Sequence, residues 1–387
     1  AASDVYKRQL NDRSKMYYTP NKENNVFQLV VQYGAGEREF PKLGYAAQLM
    51  NNAGIMGAYE PQELKEELSK LNATCHVTAD DDNLYIIMEG YEATLPQACQ
   101  LLSRQILMPK LDEKQLARLK GSAMGMRQQR KDNVSILNEA LRQYMLYGEK
   151  SDYIKELTDK EIYELQISEL TGDINRASNY EAKVFFTGTL PFDQVYDILS
   201  KNLPLVANER PSNSPQAKDM MPVTENTVYF LPNNDAEQAQ IHLYIPMQKA
   251  DKKDDVLRSA FNQYFGLDFT GIVLNEIREK RSMAYTAYAF VGTQGIAGKA
   301  SYLRGYIGTQ NDKANDALDV LMGLVNDMPK NPERIDNIKS YLRQAMLTSH
   351  PSFRNKAMEL VDLGYRGYTD DPAKENLPKV DALTFDD

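Results

Sequence analysis

The sequence predicts an α+β protein made of two tandem homologous domains, each an antiparallel or mixed sheet packed on helices. Short runs of alternating apolar residues are interspersed with amphipathic helical runs along the chain. The order strand, helix, amphipathic helix, strand, strand, long helices occurs twice, at an offset of about 210 residues that brings Cys75 opposite Tyr285. Between the copies, residues 206–222 are rich in Pro, Asn and Ser and lack periodicity, which is typical of a linker.

The first copy, predicted over residues 20–205, begins with the strand NVFQLVVQY and a buried helix in KLGYAAQLMNNAG. An amphipathic helix follows, with Pro61 at its start. The runs NATCHVTA and NLYIIMEGY predict a β-hairpin because the acidic turn Asp80–Asp82 joins them. Helical periodicity continues to about residue 178, and the copy closes with the strand EAKVFFTGTLP and the helix PFDQVYDILSKNLP.

The second copy, predicted over residues 223–387, restarts with the strands TVYFLP and AQIHLYIPM. The helices DDVLRSAFNQYF and GIVLNEIREKR follow, and the strands MAYTAYAFVG and KASYLRGYIGT precede two further helices. This copy lacks the final strand and helix of the first, so we expect it to be C-terminally truncated. Residues 1–19 show no n-region or h-region of a signal peptide, and we interpret them as non-native sequence or a linker.

The composition excludes several classes of function. Lys and Arg total 45 against 54 Asp and Glu, and this net charge of −9 argues against nucleic-acid binding, which requires basic stripes. No apolar run approaches the roughly 18 residues that cross a bilayer. His76, His242 and His350 are scattered, so the chain is not expected to hold a zinc site of its own. Cys75 and Cys99 fit neither a CxxC motif nor a zinc knuckle, and a disulfide between them stays open.

The repeated domain order and the stretch LNEIREKRSMAYTAYAFVG at residues 274–292 resemble the insulinase/pitrilysin-like zinc metallopeptidases, or inverzincins, which include the mitochondrial processing peptidase. The resemblance covers nearly all of residues 20–387. It implies paired copies of one α+β domain, with two such pairs closing like a clamshell around a peptide. It also implies an HxxEH zinc motif on one pair and an Arg and a Tyr near a helix-to-strand junction on the other.

The family's zinc motif falls on GYAAQLMNNAGIMG, where its functional side chains are missing. Ala47 takes the first His position, Met50 the Glu position and Asn51 the second His position. The later helix that should offer a carboxylate ligand reads LKGSAMGMRQQR and contains none. Because zinc needs three protein ligands and its water needs a base, we interpret the first domain as a non-catalytic copy that binds no metal.

The family's Arg and Tyr are both present. In REKRSMAY, Arg278 and Tyr285 stand at the matching spacing. The resemblance implies that Tyr285 donates its hydroxyl to the scissile carbonyl as this becomes an oxyanion, and that Arg278 anchors or polarises the peptide backbone. It also implies that an extended peptide pairs with an exposed strand edge, for which the strand after Ser282 and the strand GKASYLRGYIGT are candidates.

Two functions follow as alternatives. In the first, the chain is the non-zinc half of a zinc metalloendopeptidase, binds a peptide substrate and is inactive alone. The zinc is then expected on a partner half, upstream in the same polypeptide or on a separate subunit, and no cofactor on this chain. In the second, the chain is a wholly non-catalytic scaffold or peptide-binding protein of the same fold. The retained REKRSMAY favours the peptidase. The compartment is not readable from the sequence, although the resemblance is compatible with the bacterial periplasm or cell envelope.

Overall fold

The computed structural model describes residues 4–131, 133–234, 236–267 and 270–387. It confirms the predicted α+β class, with sheets packed against helices. The chain divides into two compact units, which we call unit 1 and unit 2. Unit 1 comprises residues up to Gln129, Glu156–Gln216 and Pro351–Val361, and unit 2 comprises Arg130–Lys155, Ala217–His350 and Asp362–Asp387. Among the described residues, no helix has both the length and the apolar character needed to cross a membrane.

Unit 1 contains a six-stranded mixed sheet and a short two-stranded ribbon. Its strands are β1 (Tyr6–Gln9), β2 (Lys15–Pro20), β3 (Val26–Tyr33), β4 (Gly54–Ile55), β5 (Thr74–Ala79), β6 (Leu84–Tyr91), β7 (Pro109–Lys110) and β8 (Ala182–Gly188). The sheet order is β1-β2-β8-β3-β6-β5, and β4 pairs with β7. Strands β2 and β8 are parallel, whereas the other neighbours are antiparallel. The predicted hairpin is confirmed, with Val77 opposite Ile86, and it leaves β5 at the edge of the sheet.

Helices cover one face of this sheet and bury its apolar side chains. The first nine helices of the chain are α1 (Leu43–Met50), α2 (Pro61–Lys70), α3 (Leu95–Leu107), α4 (Glu113–Arg130), α5 (Val134–Tyr147), α6 (Asp152–Lys155), α7 (Asp159–Tyr163), α8 (Ile167–Ala177) and α9 (Phe192–Asn202). Helices α5 and α6 belong to unit 2. Helix α2 begins at Pro61 behind a capping box formed by Glu60 and Glu63, which satisfies the first free amides of the helix. The core includes Phe27, Leu29 and Met50, all fully buried.

Unit 2 is built on a three-stranded antiparallel sheet in the order β10-β11-β9. The strands are β9 (Ala239–Lys249), β10 (Ala284–Thr293) and β11 (Ala300–Thr309). The remaining helices are α10 (Asp255–Phe265), α11 (Ile272–Leu274), α12 (Ala314–Asn326), α13 (Ile335–Thr348), α14 (Lys356–Tyr365) and α15 (Pro372–Ala382). Helix α14 begins in the segment grouped with unit 1 and ends in unit 2, and the other five belong to unit 2. One face of the sheet packs on helices through alternate residues such as Ala287, Ala289 and Ile307, with Leu321 of α12 in the same core.

The structure of the first nineteen residues differs from our interpretation of them. We set them aside as non-native sequence or a linker, but β1 and most of β2 lie within them and pair in the sheet of unit 1. Met16 is fully buried in the core of that unit. Strand β2 pairs with β1, a few residues earlier, and with β8, more than 160 residues later in the chain. Residues 1–3 lie outside the described residues.

Two further differences concern unit 2. The predicted strand TVYFLP, residues 227–232, lies in no described strand, and its Val228 and Phe230 are 87% and 83% exposed. An alternating pattern forms a strand only where a neighbouring strand accepts its backbone hydrogen bonds. The division into units also differs from the predicted boundaries, because residues 130–155 are grouped with unit 2 and residues 351–361 with unit 1. Residues 206–222 contain no helix or strand.

Candidate functional site

The junction between α11 and β10 interrupts a regular helix with a π-helical turn. Helix α11 continues into this turn at Asn275–Glu279, where the Lys280 amide donates to the Asn275 carbonyl at 2.9 Å. Ile277 is fully buried and fixes the turn in the core of unit 2. Arg278, the next residue, therefore leaves the turn on its outer side. Single π-helical turns are uncommon and occur frequently at functional sites.

The chain then reverses into β10 through a residue in the left-handed region. Ser282 has a φ of 50°, which is uncommon for a residue other than Gly, Asn or Asp. Two backbone bonds of 2.9 Å hold it there: the Ser282 amide donates to the Arg278 carbonyl, and the Met283 amide to the Ile277 carbonyl. On the other side, the Thr309 hydroxyl donates to the Met283 carbonyl. The surrounding bonds thus maintain a backbone conformation that costs free energy locally.

Tyr285 lies at a β-bulge. Ala284 pairs with Thr309 and Thr286 pairs with Gly308, so Tyr285 stands between two paired residues without a partner of its own on β11. Its side chain is 76% exposed. A bulge bends the strand and redirects a side chain, and bulges are over-represented beside active sites. The strand therefore presents this tyrosine outward instead of packing it on the sheet.

The side chains of Arg278 and Tyr285 lie side by side at this junction. The guanidinium carbon of Arg278 lies 5.7 Å from the centre of the Tyr285 ring, within the range of a cation–π contact. The Arg278 side chain is 39% exposed, and its Nε is 3.6 Å from a carboxylate oxygen of Glu279. The pair thus offers a phenolic hydroxyl and several guanidinium N–H donors to an approaching group from one exposed surface.

The other two cations of the junction are held by Glu276. Lys280 Nζ and Arg281 Nη1 lie 2.6 and 2.5 Å from the two carboxylate oxygens of Glu276. The hydrogen bond from Lys280 and then that from Arg281 hold the pKa of this carboxyl below its ordinary value. Both contacts are local, within five residues, and they direct these two side chains away from Tyr285 toward the start of the turn.

The three positions of the degenerate zinc motif lie in unit 1 and cannot hold zinc. Ala47 and Met50 are 1% and 0% exposed and pack in the apolar core. The amide of Asn51 is bonded to backbone, with Nδ2 donating to the Val77 carbonyl at 2.9 Å and Oδ1 accepting from the Val77 amide at 2.8 Å. No group of three His, Cys, Asp or Glu suited to a metal exists among the described residues. Neither the donors nor their environment fits a zinc ion.

The cysteines are both free in the described structure. Burial raises the pKa of the Cys75 and Cys99 thiols to about 12, so both are protonated and unreactive near neutral pH.

The sequence predicted Arg278 and Tyr285 but not the backbone features that present them: the π-helical turn, the left-handed Ser282 and the bulge. The structure shows a parallel in unit 1, where Asn72 also has a φ of 50°, stands 210 residues before Ser282 and likewise precedes a strand by two residues.

Comparison with known families identifies part of the chain. Residues 178–342 match the family model described as the peptidase M16 inactive domain. This match confirms the resemblance to the zinc metallopeptidases that the sequence predicted, and it is a match to an inactive domain of that family. Among proteins with curated descriptions, none matches the chain.

Solved structures match nearly the whole chain. A peptidase M16 inactive domain from Pseudomonas fluorescens is 17% identical with a TM-score of 0.70, covering 99% of this chain and 93% of that one. The ferredoxin protease FusC, solved in complex with Arabidopsis ferredoxin, is 13% identical with a TM-score of 0.77, covering 100% and 43%. The periplasmic protease PqqL from Escherichia coli is 14% identical with a TM-score of 0.74, covering 98% and 44%. The chain thus spans less than half of these two proteases, and at such identities the likeness establishes the fold.

Proposed function

Since residues 178–342 carry a peptidase M16 inactive domain, we propose that this chain is the non-zinc half of a zinc metalloendopeptidase. A second half, upstream in the same polypeptide or on a separate subunit, would hold the zinc. This chain would supply Arg278 and Tyr285 to the site where the peptide is cleaved. It is inactive alone, because Ala47, Met50 and Asn51 replace the ligands and the base of the zinc motif.

The observation that carries the proposal is the exposed Arg278–Tyr285 pair on an irregular backbone. A π-helical turn, a left-handed residue and a bulge occur within eleven residues of one another, from Asn275 to Tyr285. Each costs free energy relative to a regular helix or strand, and such features persist mainly where they position a functional group. Here their combined effect is to bring a phenol and a guanidinium together at the surface.

The two side chains suit complementary parts of peptide hydrolysis. The tyrosine hydroxyl can donate a hydrogen bond to the substrate carbonyl oxygen, which gains negative charge as the tetrahedral intermediate forms. The guanidinium can bind a neighbouring backbone carbonyl through its fixed fork of donors. Because Arg278 also lies over the Tyr285 ring, it restricts the position of the hydroxyl before the substrate arrives.

The alternative is a wholly non-catalytic scaffold or peptide-binding protein of the same fold. Both functions predict the buried region around Ala47 and Met50, where no ligand or base remains, so this region does not discriminate between them. The two functions differ in what the Tyr285 hydroxyl does. In a peptidase its removal lowers the turnover rate, whereas a scaffold keeps all its properties without it.

The test is peptide hydrolysis by the natural protein that contains this chain, combined with its zinc-bearing half. The substrate is a quenched fluorescent peptide of mixed sequence. We expect Tyr285→Phe to lower kcat on the order of a hundredfold or more, because one oxyanion donor is lost, while the zinc content stays that of the parent. The 387-residue chain alone, with zinc added, should not cleave the peptide.

Tyr288→Phe is the matched control. Tyr288 lies on the same strand, but it is half-buried and stacked on Tyr306 with ring centres 5.3 Å apart. This variant loses the same atom away from the bulge, so it should keep the parent rate. Equal losses in both variants, or a Tyr285→Phe protein as active as the parent, would contradict the assignment and favour the scaffold.

A further inference from the structure

Strand β5 forms one edge of the sheet in unit 1. Its outer backbone groups have no neighbouring strand of this sheet to pair with. It pairs with β6 on one side and is the last strand of the sheet order on the other. Edge strands present rows of backbone donors and acceptors with which another extended chain can pair. In antiparallel pairs the backbone groups of successive residues face alternately toward and away from the neighbour. Because the Val77 groups bind Asn51, they face away from β6, and so do those of Cys75 and Ala79.

Asn51 occupies the middle of this edge as a strand would. Its side-chain amide carries one carbonyl and N–H donors, like a peptide unit, and both bind Val77, at 2.8 and 2.9 Å. The same Nδ2 also lies 3.3 Å from the Ala47 carbonyl, which ties the amide to the last turn of α1. This two-bond pairing of one side chain with one residue reproduces the hydrogen-bonded pair of an antiparallel ladder.

At the end of β5 that leads into the turn of the hairpin, the backbone of the loop that contains Glu37 and Arg38 covers the chain. The Glu37 amide donates to the Asp80 carbonyl at 2.9 Å, and the Arg38 amide donates to the Asp81 carbonyl at 3.0 Å. Arg38 also forms an ion pair with Asp82 at 2.9 Å. An extended chain approaching along the strand would have to displace this loop before it reached Ala79.

The beginning and middle of β5 are different, because open space adjoins them. A cavity of about 600 Å³ is lined by Asn51, Cys75 and Val77 together with residues of α2 such as Lys65. Packed side chains therefore do not close this part of the edge. Within this part of the edge, the Asn51 amide binds the backbone groups of Val77 with which an added strand would pair.

We infer that Asn51 is an edge guard, a single side chain that takes the place of a neighbouring strand and closes β5 to extended polypeptides. Asn51, which stands at the second His position of the family's zinc motif, thus has a structural role that is independent of the function proposed for Arg278 and Tyr285. Removing the amide should free the Val77 backbone and let a peptide pair with β5, using the adjoining cavity for its side chains.

The experiment compares the full chain with its Asn51→Ala and Asn52→Ala variants. Asn52 is the matched control, because its Oδ1 accepts from Lys65 at 2.8 Å on the neighbouring helix. Amide hydrogen exchange is measured at Val77, with amides of β3 and β6 as internal references for an intact sheet. We expect exchange at Val77 to rise about tenfold or more in Asn51→Ala alone, as expected for a lost hydrogen bond.

Strand pairing is measured on the same three proteins with a fluorescein-labelled peptide of alternating threonine and valine. Fluorescence anisotropy should report binding to Asn51→Ala, and none to the parent or to Asn52→Ala. Unchanged exchange at Val77 overturns the inference, as does equal peptide binding by all three proteins. Faster exchange without peptide binding also overturns it, because Asn51 would then only fasten α1 to the sheet. Loss of protection across β3 and β6 would mean that the amide supports the whole sheet, which again contradicts a local guard.

Discussion

The corner before β5 in unit 1 and the junction before β10 in unit 2 share one backbone feature but differ in the strand that follows. Asn72 and Ser282 share a φ of 50° and each precedes its strand by two residues. Three residues further on, Cys75 pairs in register with Met88, whereas Tyr285 stands at a bulge. The two units thus have the same left-handed backbone position before the strand, while the bulge and the exposed tyrosine belong to the junction in unit 2.

The difference shows where the fold tolerates unfavourable local structure. In unit 1 the left-handed position holds Asn72, a residue that adopts this conformation readily, and the strand that follows is regular. In unit 2 the same position holds Ser282, which adopts it less readily, and a π-helical turn precedes it. Unit 1 thus lowers the local free energy, while unit 2 retains local strain and presents Arg278 and Tyr285 at the surface.

The largest expected effect comes from placing a glutamate at Met50 of unit 1, the position that corresponds to the Glu of the family's zinc motif. Met50 is fully buried, so Met50→Glu would place a carboxyl in the core without a partner. We expect the free energy of unfolding to fall by about 3 kcal/mol or more. Met126→Glu is the control, because Met126 is 62% exposed in α4, and a surface change should stay within about 0.5 kcal/mol. Denaturant unfolding measures both. A small loss for Met50→Glu would show that this position is open to solvent or ligand.

The second prediction concerns His242 of unit 2. Burial lowers the pKa of His242 to about 4; Arg304 and then Arg142 add to the shift, and Glu139 opposes it. Because the folded pKa of His242 lies below the ordinary 6.5, the neutral form favours folding fully above about pH 6.5, and this stability is lost as the pH falls toward 4.

The free energy of unfolding should therefore decline less steeply between pH 7 and 4, a range set by that shift, in His242→Gln than in the parent. Denaturant titrations at a series of pH values give both slopes. Identical slopes in His242→Gln and the parent would show that His242 is hydrated in the folded protein.

The smallest effect tests the strain at the junction. Ser282→Gly should raise the free energy of unfolding by about 0.5–1 kcal/mol, because Gly adopts a positive φ without the steric cost that Ser carries. Asn72→Gly should change stability less, since Asn already tolerates this conformation. Thermal or denaturant unfolding of the two variants provides the comparison. If both gain equally, or neither gains, the two turns are equally relaxed and the contrast between the units does not include strain at this residue.

The sequence predicted those features that depend on residues close to one another in the chain. The hairpin of β5 and β6, helix α2 behind Pro61 and the strand pair β10–β11 follow from alternation, helical period and turn residues, and all are present. Arg278 and Tyr285 could be predicted because the family motif and their spacing are local. Strand β2 was missed because residues 1–19 were set aside as non-native sequence or a linker, and TVYFLP was predicted as a strand although no neighbouring strand pairs with it among the described residues.

The sequence by itself determined the class of the fold and predicted the repeat and the replaced residues of the zinc motif, because periodicity and residue type are properties of the chain. Only the tertiary structure decided that Asn51 binds the edge of β5 and that Tyr285 stands at a bulge. Both depend on which backbone groups remain unpaired after distant strands have formed their ladders. A hydrogen bond between the residue that ends α1 and β5, or an unpaired residue on β10, is a property of the assembled sheet. Neither can be predicted from a short stretch of sequence.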